Sequence, residues 1–97
     1  MSEVPAARHT LRIIRYLAGH SGPVRASTVS RDLGLPRSTV YHLLTVMRDE
    51  GFLLHSPEDQ AYLLSPLVAD IGSSVLRTST AGAAAASVVS ALTSRWR

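Results

Sequence analysis

The stretch from Ala26 to Gly51 constrains this chain more tightly than any other part of it. Two runs of helical spacing lie there, separated only by Gly34-Leu35-Pro36. In the first, Ser27 is placed to cap a short helix through Leu33, with Val29 and Leu33 turned inward. Gly34 breaks that helix, Leu35 points back toward the core, and Pro36 suits the first turn of the next. From Arg37 to Glu50, the apolar residues Val40, Leu43, Leu44 and Met47 follow the i, i+3, i+4, i+7 spacing of an amphipathic helix. Gly51 terminates it as a left-handed cap. A short helix joined by so tight a turn to a longer one is a helix-turn-helix, the arrangement that lays its second helix in a DNA major groove.

The flanks complete the pattern. Residues 6–19 have the spacing of an amphipathic helix, with Ala7, Leu11, Ile14, Leu17 and Ala18 on the core face and Gly19 ending it. Arg8, Arg12 and Arg15 gather on one flank, as a solvated stripe, a line of phosphate contacts or the rim of a dimer seam. Ile13 and Tyr16 fall outside the main apolar face and point to a second buried side. Ser21-Gly22-Pro23 is a turn, and Val24-Arg25 leaves room for a very short strand. After Gly51 the period shortens: Phe52–His55 and Ala61–Leu64 are strand-like around Ser56–Gln60, which makes a hairpin. Ser65 and Pro66 open a further helix carrying Leu67, Val68, Ile71, Val75 and Leu76. Beyond Arg77 the alanine-rich run needs a partner to stay helical, or frays. The expected fold is therefore mainly α with a small β-hairpin: a winged helix-turn-helix with a three-helix core and a two-stranded wing. It occupies residues 6–65 (helix-turn-helix 26–45, wing 52–64), and a linker or dimerisation helix follows over 66–97.

Composition narrows the function. Ninety-seven residues allow one small domain, and a deep substrate cavity would consume most of its core. No cysteine is present, which removes thiolate metal sites and thiol nucleophiles. His9, His20, His42 and His55 have no metal-ligand spacing, and no glycine-rich phosphate loop or acid–base pair stands out. The reading is no enzyme, no cofactor, no metal and no catalytic residue. No apolar run approaches the roughly 20 residues that cross a bilayer, and the N-terminus does not read as a signal peptide, so a cytoplasmic protein without membrane partners is expected. All ten basic residues are arginine, and seven of them fall in the first 50 residues. That suggests a polyanionic partner, although a GC-rich genome would produce the same bias.

On a helical wheel with Val40 at the centre of the core face, Ser38, His42, Thr45 and Asp49 fall opposite it. Arg37, Tyr41 and Arg48 line one flank and Thr39 the other. Small hydrogen-bonding side chains edged by arginines suit base edges and phosphates. The candidate DNA-binding residues are Ser27, Arg37, Ser38, Thr39, Tyr41, His42, Thr45 and Arg48. Arg31 is as easily solvated as bound to backbone phosphate. The wing carries Glu58 and Asp59 and no arginine or lysine, which leaves His55 and Gln60 as its only plausible contributors. A winged-helix module reserved for protein–protein contacts is the alternative, but such modules lose basic character around the recognition helix. Positions 33–48 here hold Arg37 and Arg48 and no acid.

The stretch ASTVSRDLGLPRSTVYHLLT, residues 26–45, resembles the winged helix-turn-helix of IclR-type bacterial transcriptional regulators. Further agreement lies in Leu11–Leu17, in Gly34–Val40 (GLPRSTV), in Glu50–Leu53 and in the wing exit through Tyr62, Leu64, Ser65 and Leu67. The resemblance covers roughly residues 8–72. It implies a sequence-specific DNA-binding transcriptional regulator, with recognition helix 37–50 in the major groove of a palindromic operator bound as a homodimer. Two departures accompany it. Leu54 and Leu63 make the hairpin apolar on both sides, and the ligand-binding domain usual in such regulators is not represented. No small-molecule effector is expected to bind this chain, since no apolar surplus remains to line a pocket of about 300 Å³ or more. For the dimer, the surfaces expected are Ile13 and Tyr16, Leu54 and Leu63, and the last helix with Val75, Leu76, Val88, Val89, Leu92 and Trp96.

Overall fold

The computed structural model describes residues 4–78. The tail expected to pair or fray, with Val88, Val89, Leu92 and Trp96, lies outside the described residues. The elements are α1 (Pro5–Ala18), β1 (Val24–Arg25), α2 (Ala26–Leu33), α3 (Arg37–Asp49), β2 (Leu53–Ser56), β3 (Ala61–Leu64) and α4 (Pro66–Thr78). Three helices enclose a core made of Ile13 and Leu17 from α1, Ala26 and Val29 from α2, and Val40, Leu44 and Met47 from α3. Leu53 and Tyr62 close it from the sheet side. Burying each large aliphatic side chain contributes about 1.5–3 kcal/mol, and this cluster is what holds α3 with its opposite face outward.

Helix boundaries follow the local chemistry. Gly34 adopts φ +68° and ends α2, and its N–H bonds to the Ser30 carbonyl. The Leu35 N–H also reaches that carbonyl (3.1 Å), and Ser30 Oγ donates to the Leu35 carbonyl (2.6 Å). The turn is thus stitched from both sides and aims α3 away from α2. Gly51, at φ +92°, turns the chain from α3 into β2. At α4, Ser65 Oγ accepts from the Leu67 N–H (3.3 Å) and donates to the Gly51 carbonyl (2.5 Å), so this serine caps the helix and pins it to the end of α3.

Three sequence expectations are extended or corrected. The hairpin β2–β3 forms in the register Leu53↔Leu64 to Ser56↔Ala61, but Val24 and Arg25 pair with Tyr62 and Ala61, which makes a three-stranded antiparallel sheet of order β1-β3-β2. Ser27 does not cap α2. The helix begins two residues earlier, at Ala26 with Arg25 at the cap position, and the Ala26 N–H is satisfied by the Gln60 carbonyl of the wing (3.1 Å). On α1 the core face is only partly the expected one: Leu17 is buried and Ile14 packs against the core, and Ile13 is fully buried on the second side, whereas Leu11 is 59% exposed, together with Ala7 and Ala18. Tyr16 is half-buried against the core, not part of an outer surface. α1 is apolar over so wide an arc that spacing alone admits two inward faces. With the Ile13 side turned toward α2, Arg12 Nη2 donates to the Leu33 carbonyl (3.1 Å) and the Tyr16 hydroxyl donates to Asp32 Oδ2 (2.5 Å). The hairpin is apolar on both faces as expected: Leu53 is buried on the core side, and the paired Leu54 and Leu63 lie on the other, exposed and half-buried.

Candidate nucleic-acid interface

The side chains of α3 divide cleanly. Val40, Leu44 and Met47 are buried, while Arg37, Ser38, Tyr41, His42, Thr45 and Arg48 are all exposed; Thr39 is half-buried. The predicted cluster therefore comes together on one outward face, and α2 supplies the half-buried Ser27 beside it. Arg25, Ser27, Arg37 and Tyr41 line a hollow of about 300 Å³, whose far wall is the wing residues Glu58, Asp59 and Gln60. A shallow groove of about 570 Å³ also runs along the outer face of α1, beside Val4, Ala7 and Leu11. Both are open surface concavities, not the apolar ligand pocket that the sequence reading excluded. Small exposed helices leave surface concavities that an inventory of core residues does not register.

Two residues escaped the sequence reading. Arg25 lies just before α2 and is exposed at the rim of the hollow. Its pairing with Ala61 sets it there, and only the β1–β3 register, not spacing along the chain, could have revealed it. Val46 sits on the outer side of α3 near Thr39 and His42 and is 58% exposed. An apolar residue in the middle of a polar face was the available signal, since a valine methyl can meet a thymine methyl.

Other side chains are engaged within the fold. Arg48 Nη1 donates to His55 Nδ1 (3.5 Å) and Nη2 lies the same distance from Asp49, so this arginine spans the end of α3 and the wing. The His55 ring stacks on Tyr62 (centroids 4.6 Å apart), and the Gln60 amide donates to the Pro57 carbonyl (3.1 Å). Both wing residues held open as contacts thus have partners within the fold, while His55 Nε2 is buried without one among the described residues. Arg31 Nε pairs with Asp32 at 3.0 Å. That aspartate also accepts the Tyr16 hydroxyl, which holds its carboxyl below the usual range, with help from Arg31. Partial burial, and then the Asp32 hydrogen bond, push the Tyr16 phenol up to about 12. The resulting clasp ties α1 to α2 and so fixes the platform from which α3 projects. Among the described residues no cluster of His, Cys, Asp or Glu could hold a metal, and no helix is long and apolar enough to cross a membrane.

Residues 6–57 match the family described as the IclR helix-turn-helix domain. The chain belongs to the IclR helix-turn-helix family. It is 28% identical over 76 residues to the transcriptional repressor IclR of Escherichia coli, an alignment that takes in 78% of this chain and 28% of that one. It therefore spans little more than a quarter of that relative's length. Among solved structures, the repressor BlcR of Agobacterium tumefaciens superposes with a TM-score of 0.71 at 28% identity, over 81% of this chain and 32% of the other. An IclR transcriptional regulator of Alicyclobacillus acidocaldarius reaches 0.76 at 19% identity, over 84% and 33%. That last likeness is one of fold. Together they agree with a mainly α winged helix-turn-helix.

Proposed function

We propose that this chain is the DNA-binding module of a transcription regulator, with α3 entering the major groove. One observation carries the reading: α3 presents Ser38, His42 and Thr45 outward with arginines at both ends, while its opposite face is locked into the core. The IclR family and its relatives named as repressors supply the regulatory context and make catalysis an unneeded assumption. In this role Arg37 and the N-terminus of α3 meet phosphate or guanine, and the hydroxyls and His42 read base edges. Tyr41, Ser27 and Thr39 sit at the groove margins and position the helix against the backbone. The winged domain of residues 6–65 acts as the reading head and the segment from 66 onward as linker and dimerisation element. Two copies then bind a palindromic operator, because one such helix spans too few base pairs for regulatory specificity. Cytoplasmic residence follows from that role.

A salt titration tests it. Binding to a random-sequence duplex should weaken as salt rises, with log K falling by about 0.9 per phosphate contacted for each decade of salt. Arg37→Ala should weaken binding on every sequence. No duplex binding even at low salt would overturn the reading in favour of a protein-contact module.

A further inference from the structure

Val46 is out of keeping with its surroundings on α3. It is 58% exposed, and it belongs neither to the core cluster nor to the half-buried residues packed against that cluster. The apolar residues of α3 that serve the fold lie elsewhere on the helix: Val40, Leu44 and Met47 are buried and Leu43 is half-buried. Valine is also a poor choice for an exposed helical position, because its branched β-carbon loses side-chain freedom against the preceding turn. Packing among the described residues therefore gives no reason for a valine here. Its neighbours give one. Val46 lies one turn beyond His42 and beside Thr45, both of them exposed on the outward face. Two γ-methyl groups are thus set into a row of hydrogen-bonding side chains.

We propose that Val46 reads the 5-methyl group of a thymine and so adds an apolar contact to the polar ones made by His42 and Thr45. The inference rests on the DNA-binding reading above and names a further specificity-determining residue within it. In the major groove, thymine alone among the four bases presents a methyl group, which a hydroxyl or an imidazole N–H does not register. An apolar side chain registers it by removing both surfaces from water. Spacing fixes where that thymine lies. Four residues carry Val46 about 6 Å past His42 along the helix axis, close to two base-pair steps of about 3.4 Å. The thymine should therefore stand roughly one to three base pairs from the position that His42 reads.

The experiment uses the full chain and a duplex that it selects from a randomised pool. His42→Ala, put through the same selection, marks the base pair that His42 reads. Each thymine of the selected duplex is then replaced in turn by deoxyuridine, which removes the methyl group and keeps the base pair and its O4 acceptor. Fluorescence anisotropy gives the affinity of each duplex for wild type and for Val46→Ala, both checked for unchanged helical circular dichroism. In wild type, one deoxyuridine within about three base pairs of the His42 position should weaken binding about fourfold, the worth of one buried methyl-sized group. The same replacement should leave Val46→Ala unchanged within about 1.5-fold, since the partner of the methyl is gone. No thymine selected in that interval, no loss on its replacement, or an equal loss in both proteins would overturn the inference, while a shifted preference in His42→Ala would leave the DNA-binding reading standing. If the chain selected no duplex at all, that reading would fall first and the inference with it.

Discussion

His42 and Thr45 carry the sharpest test at the scale of single residues. They are exposed on the outward face of α3, so truncation should spare the fold. His42→Ala and Thr45→Ala should each change preference among operator sequences by about 1–3 kcal/mol at one base pair while leaving affinity for random duplex nearly constant. Competition against a randomised duplex pool, sequenced after selection, would show the altered position. An unchanged sequence preference in both variants would remove α3 as the reader. The Tyr16–Asp32 pair makes a separate prediction about pH. Asp32 is depressed in the fold, so its contribution is present above the unfolded carboxylate range and is lost as pH falls through the lower folded value. Tyr16 is raised to about 12, so its contribution is complete below the ordinary phenol value near 10 and disappears between there and about 12. Thermal unfolding of Tyr16→Phe followed across pH should show a lower Tm at neutrality. It should also show a weaker fall at both extremes, since the hydroxyl that links the two titrations is gone.

At the scale of elements, much was legible in the chain. The helix-turn-helix could be read because Val40, Leu43, Leu44 and Met47 repeat at one period and Gly34 and Pro36 mark its boundaries. The wing could be read because Pro57-Glu58-Asp59 interrupts two short apolar runs. The pairing of β1 could not, since two residues show no alternation and their partner lies almost forty positions away. The same long-range contact hid both the true start of α2 and the role of Arg25. α1 was read only in part for a different reason: spacing turns Leu17 and Ile14 inward, but Ile13 and Leu11 are both apolar and spacing does not decide which joins them. Gly34 lends itself to a prediction here. A Cβ at this position would meet no atom within 4 Å, yet φ is +68°. Gly34→Ala should therefore cost only the backbone strain, about 1–2 kcal/mol, seen as a lower urea midpoint at unchanged m-value. A larger loss, or a changed m-value, would mean that the turn itself rearranges.

At the scale of the whole molecule, the described surface is unfinished. α4 contributes nothing to the core cluster, and Ile71, Val75 and Leu76 lie about half exposed along it. The outer face of α1 adds Leu11 between the exposed Ala7 and Ala18. These four larger side chains, doubled by two-fold symmetry and each only partly available for burial, would yield roughly 6–12 kcal/mol of gross apolar stabilisation. Association costs about 4–15 kcal/mol, so a dimer formed through these faces alone is expected to be weak, in the micromolar range or above. Such a dimer would differ from the one the sequence suggested, because Ile13 and Tyr16 are spent inside the domain and Leu11 is left on the outer face of α1. Sedimentation equilibrium over a wide concentration range should therefore show a mass rising toward twice that of one chain. Leu11→Arg and Ile71→Asp should each return it to the monomer without lowering Tm, because neither side chain supports the core. Ile13→Ala should do the reverse, lowering stability by about 2–5 kcal/mol through a core cavity while leaving self-association intact under native conditions. A mass of one chain at every concentration would leave α1 and α4 without a partner in this chain and would confine DNA recognition to a single half-site.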